Sequence, residues 1–338
     1  YSAALVAQSQ EHDALSSAAA LALHEAADHY RRAGDRHAER LVNYIRGRYA
    51  YLVSSDWQAA EKFARAAKDL ANQSNDAVAG ARADVLTASA RIERANELAG
   101  PDVKAERAKL LDSSNSLLVA STKIFADARL PIDQVAALTF QGVGQWAAQN
   151  ADEARATFVA AVAIARASND AFSEARALGN LAWLDYERAD IRSAADEYSR
   201  LLDLIEKERQ PDLYASTLGN YANCLTMLGD FDRPLQLHTE ALRLFVSRGD
   251  DALRAKALLS IGDLLLRMGS TRRALETLET SLPILRVLKD QTGIDSALAS
   301  AGRAAGAWGD HERALSFHQA LLDRNRGPRM SAPARVLM

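Results

Sequence analysis

The sequence predicts an all-α fold, a right-handed superhelical solenoid of antiparallel helix pairs. Three observations predict it: a helix-favouring composition, apolar residues at helical spacing, and a motif that recurs every 40 residues. Aromatic residues are 6% and charged residues 25% of the 338, with only 7 Pro and 17 Gly. Ala and Leu are abundant, and both lose little on entering a helix. Sandwiches, barrels and α/β sheets are thereby excluded.

The repeat carries most of the argument. Segments 150–154 (NADEA), 190–194 (DIRSA), 230–234 (DFDRP), 270–274 (STRRA) and 310–314 (DHERA) start 40 residues apart, without insertion or deletion. Phe158, Tyr198, His238, Leu278 and His318 follow in the same register, then Val162, Leu202, Leu242, Leu282 and Leu322. Upstream, Leu138, Leu178, Leu218, Leu258 and Leu298 share a register, each followed four residues later by Gly142, Ala182, Ala222, Gly262 or Gly302. Leu218, Tyr221, Ala222 and Leu225 make one helical stripe, and Phe231, Leu235, His238 and Leu242 a second. Gly229 and Asp230 lie between them as C-cap and N-cap residues. The small residue lets the partner helix approach closely. Neither stripe can be buried by one helix, so the units must stack.

In chain order, residues 1–34 read as an N-terminal capping region with a helix over 13–33. Residues 35–130 read as degenerate helix pairs, with helices over 41–53, 57–72, 77–98 and 103–128. An insertion of about 14 residues is expected near 96–115, around Gly100 and Pro101, because the turn at 55–60 and the one at 149 are spaced wider than two repeats. Residues 131–325 read as five regular 40-residue units. Pro131 and Pro211 fall at first-helix starts, where Pro is tolerated. Pro283 falls inside a second helix and predicts a kink near Leu282. Residues 326–338 read as an irregular basic tail with Arg326, Arg329 and Arg335.

The stretch 217–242 (TLGNYANCLTMLGDFDRPLQLHTEAL) resembles a tetratricopeptide repeat, with its LG-N, its GD turn and its A-L in the second helix. Pro234 departs from the small residue seen at Ala154, Ala194, Ala274 and Ala314. The period of 40 exceeds the family's usual 34, and resembles the long-helix arrays of bacterial signalling proteins. Such arrays precede caspase-like CHAT protease domains or accompany ATPase and transcription-regulator modules. The resemblance implies a scaffold that binds a peptide or partner protein in a concave groove. The alternative it implies is an intramolecular regulatory or sensor arm of a larger protein whose effector domain adjoins it.

Signs of chemistry are sparse. HExxH, Walker A, GxSxG and strand-borne GxGxxG motifs are absent from the sequence. No catalytic residue, no metal ligand and no cofactor is therefore expected. Cys224 and His238 could neighbour each other as a nucleophile dyad, but His238 shares its repeat position with Phe158 and Tyr198, which reads as packing. A net charge of −3 argues against a nucleic-acid partner. The longest uncharged stretch, 134–151, holds four Gln and one Asn, which argues against a membrane span. A cytoplasmic location is expected. The chain begins at Tyr1 and not at Met, so it reads as a processed or excised piece.

Helical phase selects the first-helix face opposite the small residue as the partner-binding surface. That face carries Thr139, Val143 and Trp146, then Arg176, Trp183 and Tyr186. Asn223, then Lys256, Asp263 and Arg267, and lastly Arg303 follow. Val143, Trp183, Asn223, Asp263 and Arg303 form a ladder at repeat spacing. The resemblance implies that Asn223 bonds a peptide backbone. The predicted groove is aromatic at one end and cationic at the other, which suits an apolar anchor and a carboxylate.

Overall fold

The computed structural model describes residues 2–325, with side chains described from 18 to 324. The basic tail expected at 326–338 lies outside the described residues. Fifteen α-helices and one 3-10 turn follow one another, with no strand among the described residues. The helices are α1 (Ser2–Ala33), α2 (Arg36–Leu52), α3 (Trp57–Gln73), α4 (Ala77–Glu97), α5 (Lys104–Asp127), α6 (Pro131–Ala147), α7 (Ala151–Ala167) and α8 (Ala171–Glu187). They continue as α9 (Ile191–Leu204), α10 (Pro211–Met227), α11 (Asp232–Arg248), α12 (Asp251–Arg267), α13 (Thr271–Val287), α14 (Gln291–Trp308) and α15 (His311–Asn325). Two compact units divide the chain, residues 2–184 and 185–325. The boundary falls inside α8.

The 40-residue repeat resolves into two helix–turn steps. Nine of the fifteen helices, α2, α3, α6, α7, α8, α10, α11, α12 and α13, are 17 residues long. From α5 to α14, the turn after each helix except α9 carries one residue in the left-handed region: Arg129, Gln149, Asn169, Ala189, Gly229, Gly249, Gly269, Lys289 and Gly309. The next helix is then capped by aspartate. Oδ1 of Asp170, Asp190, Asp230, Asp250, Asp290 and Asp310 accepts the N–H three residues on, at 2.9–3.3 Å. This satisfies an N–H that the helix cannot bond internally. Asn150 and Ser270, at equivalent positions, make no such side-chain bond. From α5 on, the step is interrupted once, between α9 and α10, where α9 has 14 residues and the chain turns through 205–210 before Pro211.

Packing follows the small-to-large pairing. A Cβ added to Gly142 would come within 2.5 Å of the Phe158 ring, and one added to Gly262 within 2.5 Å of Leu278 Cγ. These second-helix side chains therefore sit directly on the first-helix backbone. In the second unit, Leu275, Leu278, Ile261 and Leu265 form a core with Ala301, Ala304 and Ala305. α13 is continuous through Pro283, an exposed position.

The α4–α5 pair departs from this pattern. α4 and α5 run to 21 and 24 residues, joined by a six-residue connection containing the 3-10 turn Pro101–Val103. Compared with the 17-residue helices, most of the extra length lies within α4 and α5 and the rest in their connection. Ala81, Ala88 and Ala95 on α4 meet Leu111, Leu118 and Phe125 on α5, both sets at seven-residue spacing. That is a coiled-coil seam with alanine on one side. Buried Ser114 and Ser121 donate to Ala88 O at 3.2 Å and Ala81 O at 3.3 Å. On α3, Glu61 accepts from Arg91 at 2.8 Å and Arg94 at 3.0 Å, and also pairs with Arg65. Burial alone would raise the Glu61 carboxyl, but the three guanidiniums hold it below the usual carboxylate range.

Candidate partner-binding surface

In the first unit the predicted residues gather around two tryptophans. Trp146 on α6 and Trp183 on α8 meet edge to face, with centroids 6.0 Å apart and planes at 78°. Trp146 is half-buried, and Trp183 remains 40% exposed. Edge-to-face pairs of this kind add to the apolar gain of burial, so Trp183 is held by its neighbour while presenting area to solvent. Arg176, exposed on α8, lies with its guanidinium 6.0 Å from the Phe140 centroid. Thr139 departs from the expectation. It is buried, and its hydroxyl donates to Val135 O at 2.8 Å. Asn180 donates to Arg176 O of its own helix at 2.9 Å.

In the second unit Tyr186 is half-buried, with its phenol pushed up by burial and by the Cys224 thiol nearby. Asn223 on α10 is half-buried. Lys256, Asp263 and Arg267 lie along one stripe of α12, since seven and eleven residues are nearly whole numbers of turns. Lys256 and Arg267 are exposed. Asp263 meets α14: Ser300 Oγ donates to it at 2.6 Å, and Arg303 bonds both Ser300 Oγ at 2.9 Å and Asp263 at 3.4 Å. Arg303 was expected to offer its charge to a ligand carboxylate. Its carboxylate contact is internal, because the repeat spacing that aligns the ladder also brings Asp263 and Arg303 together.

The Cys224–His238 possibility has the wrong electrostatics. Burial pushes the Cys224 thiol up to about 11 and the His238 imidazole down to about 4. Both stay neutral at pH 7, whereas a nucleophilic cysteine needs a stabilised thiolate. His238 is 3% exposed, in the register of buried Phe158, Tyr198 and Leu278. No group of three or more His, Cys, Asp or Glu among the described residues is placed to hold a metal ion. No described helix is long and apolar enough to cross a membrane.

One feature was missed by the sequence reading. A cleft of about 410 Å³ opens between α11 and α13, lined by Leu235, Gln236, Thr239, Arg243, Ile261, Leu265, Arg273, Glu276 and Thr277. It lies on the second-helix side, which a search along first-helix faces does not visit.

Residues 213–287 match the family model described as tetratricopeptide repeat. Solved helical-repeat structures share the fold at low identity. The apo form of RapI aligns with a TM-score of 0.60 at 12% identity, covering 85% of this chain and 98% of that one. A Signal Transduction ATPase with Numerous Domains from Pyrococcus horikoshii, with a tetratricopeptide repeat sensor, aligns at 0.62 and 14% identity. That match covers 87% of this chain and 47% of the ATPase, so the chain spans about half of its length. A Rap protein complexed with competence and sporulation factor aligns at 0.54 and 15% identity, over 86% of this chain and 76% of that one. No curated protein sequence matches the chain.

Proposed function

We infer that this tetratricopeptide chain is a protein-interaction module that binds a peptide or partner protein through its first-helix faces. The observation that carries this reading is Trp183, a large aromatic left 40% exposed yet supported from one edge by Trp146. Exposed, pre-positioned aromatics are the side chains that most often dominate interface energies. In the second unit, Asn223, Lys256 and Arg267 supply an amide and two cations on the corresponding face. Arg176 and Tyr186 flank Trp183 in sequence on α8. Asp263 and Arg303 together offer a mixed rather than a cationic contact.

The test is a pull-down with the chain as bait, followed by titration of the recovered partner. Trp183→Ala weakens binding at least tenfold, about 1.4 kcal/mol, while circular dichroism stays helical. Unchanged affinity for both Trp183→Ala and Asn223→Ala rejects the first-helix faces.

A second reading is an intramolecular sensor arm for an adjoining effector domain. The likeness to the sensor-bearing ATPase, of which this chain spans about half, favours it. Co-purification of the chain with its own neighbouring domain, rather than with a separate protein, distinguishes the two.

A further inference from the structure

The geometry points to a second binding site, in the cleft between α11 and α13, for an acidic peptide segment carrying one apolar side chain. The floor of the cleft is apolar, made by Ile261 and Leu265 of α12 with Leu235 of α11. Arg243 on one wall and Arg273 on the other are exposed and make no ion pair among the described residues. Thr239 and Thr277 direct their hydroxyls to Leu235 O at 2.6 Å and Arg273 O at 2.8 Å, within their own helices. Glu276 is the lining carboxylate, and Arg272 holds it at 3.0 Å. The cleft therefore presents two uncompensated guanidiniums above an apolar floor.

The repeat provides an internal control. One repeat on, the residue equivalent to Arg273 is Arg313, and it bonds Glu279, the equivalent of Thr239. There Pro283 stands where the α11–α13 cleft has Arg243. One repeat back, Arg233 lies over the Tyr221 ring at 5.1 Å, and the equivalents of Gln236 and Arg243 are Asp196 and Asp203. Each neighbouring position thus supplies its own carboxylate. On the α11 wall of this cleft the positions that hold Asp196, Asp203 and Glu279 in the neighbouring repeats are Gln236, Arg243 and Thr239, so three carboxylates are lost there and a second arginine is gained, with Glu276 remaining on α13. The missing charge is what a ligand supplies, and arginine is the cation best suited to bond carboxylates in pairs. This site is independent of the first-helix faces.

Panning a random heptapeptide display library on the immobilised chain tests it, with Arg243→Glu/Arg273→Glu as a parallel target. Enriched peptides should carry at least two carboxylates beside Leu, Phe or Met. Their synthetic, fluorescein-labelled copies should lose at least tenfold affinity for the double variant, and bind more weakly at high salt. Thr239→Glu, which rebuilds the neighbouring ion pair without removing either arginine, should lose binding equally. Trp183→Ala should bind as the parent does. Enrichment of neutral or basic peptides overturns the proposal, as does no enrichment. So does undiminished affinity for the Thr239→Glu chain, or loss of the acidic peptides on Trp183→Ala alone.

Discussion

The α4–α5 pair and the α12–α13 pair solve the same packing problem with different chemistry. In α12–α13 the two backbones approach because Gly262 has no side chain, and Leu278 sits on the space left free. The contact is apolar and its register is set by one small-to-large pairing per repeat. In α4–α5 that pairing gives way to a heptad seam, with serine hydroxyls donating across to carbonyls of the facing helix. Longer helices accompany the change, because a seven-residue spacing extends along two straight helices without needing a turn at a fixed place. The comparison teaches that regular length follows from where the pairing residue falls in each helix.

The largest effect is expected from Gly262→Leu. A Cβ there already meets Leu278 at 2.5 Å, so the variant should lose about 3 kcal/mol by overpacking, read as a lower midpoint in urea unfolding. An unchanged midpoint would mean that the apolar pairing does not set the α12–α13 distance.

His238 places a titratable ring in this otherwise apolar register. Its folded pKa, about 4, lies below the ordinary value of 6.5, so the unfolded chain binds the proton more readily. Stability is full above pH 6.5 and falls as the pH drops toward 4. The two values imply a loss of about 3 kcal/mol across that window. Urea midpoints between pH 7 and pH 4 measure it, and His238→Phe should flatten that part of the profile.

On the other side of the comparison, Ser114→Ala and Ser121→Ala should each cost about 1 kcal/mol, the net worth of one hydrogen bond. A neutral result for both would make α4–α5 an apolar seam like the rest. The smallest effect concerns the turns. Ala189 has φ +61°, which an L side chain adopts at a cost and glycine does not. Ala189→Gly should raise stability by up to about 1 kcal/mol, visible as a small increase in melting temperature.

The helix pairs were legible in the sequence because each depends on local signals. Asp230 and Asp310 announce caps, and the Leu258–Gly262–Leu278 spacing announces a close approach. The shorter step was not legible. Its left-handed turn position is occupied by Arg129, Gln149, Ala189 and Lys289 as well as by glycine, and none of these four residues signals a turn by itself. On the candidate surface, helical phase found the exposure of Trp183, Lys256 and Arg267 but not the burial of Thr139 or the Asp263–Arg303 contact. Phase gives direction around one helix, whereas burial and pairing depend on what the next helix brings. The Arg243–Arg273 cleft escaped for the same reason, since its character lies in carboxylates missing at Thr239 and Arg243, visible only against Glu279 and Asp203.

The two-step turn geometry also constrains how such a chain can change length through evolution. From α6 on, every 17-residue helix ends in the same kind of turn, so the backbone there would accept loss of a single helix without strain. The side chains would not. Excising 271–290 would bring α14 behind α12, two helices that both carry a glycine at the contact position, Gly262 and Gly302. Neither glycine would then meet a large partner, and the vacancy between them would be costly. Excising 251–290 leaves the alternation intact. Duplications and losses that survive selection should therefore come in helix pairs, which accounts for a sequence period twice the period of the backbone.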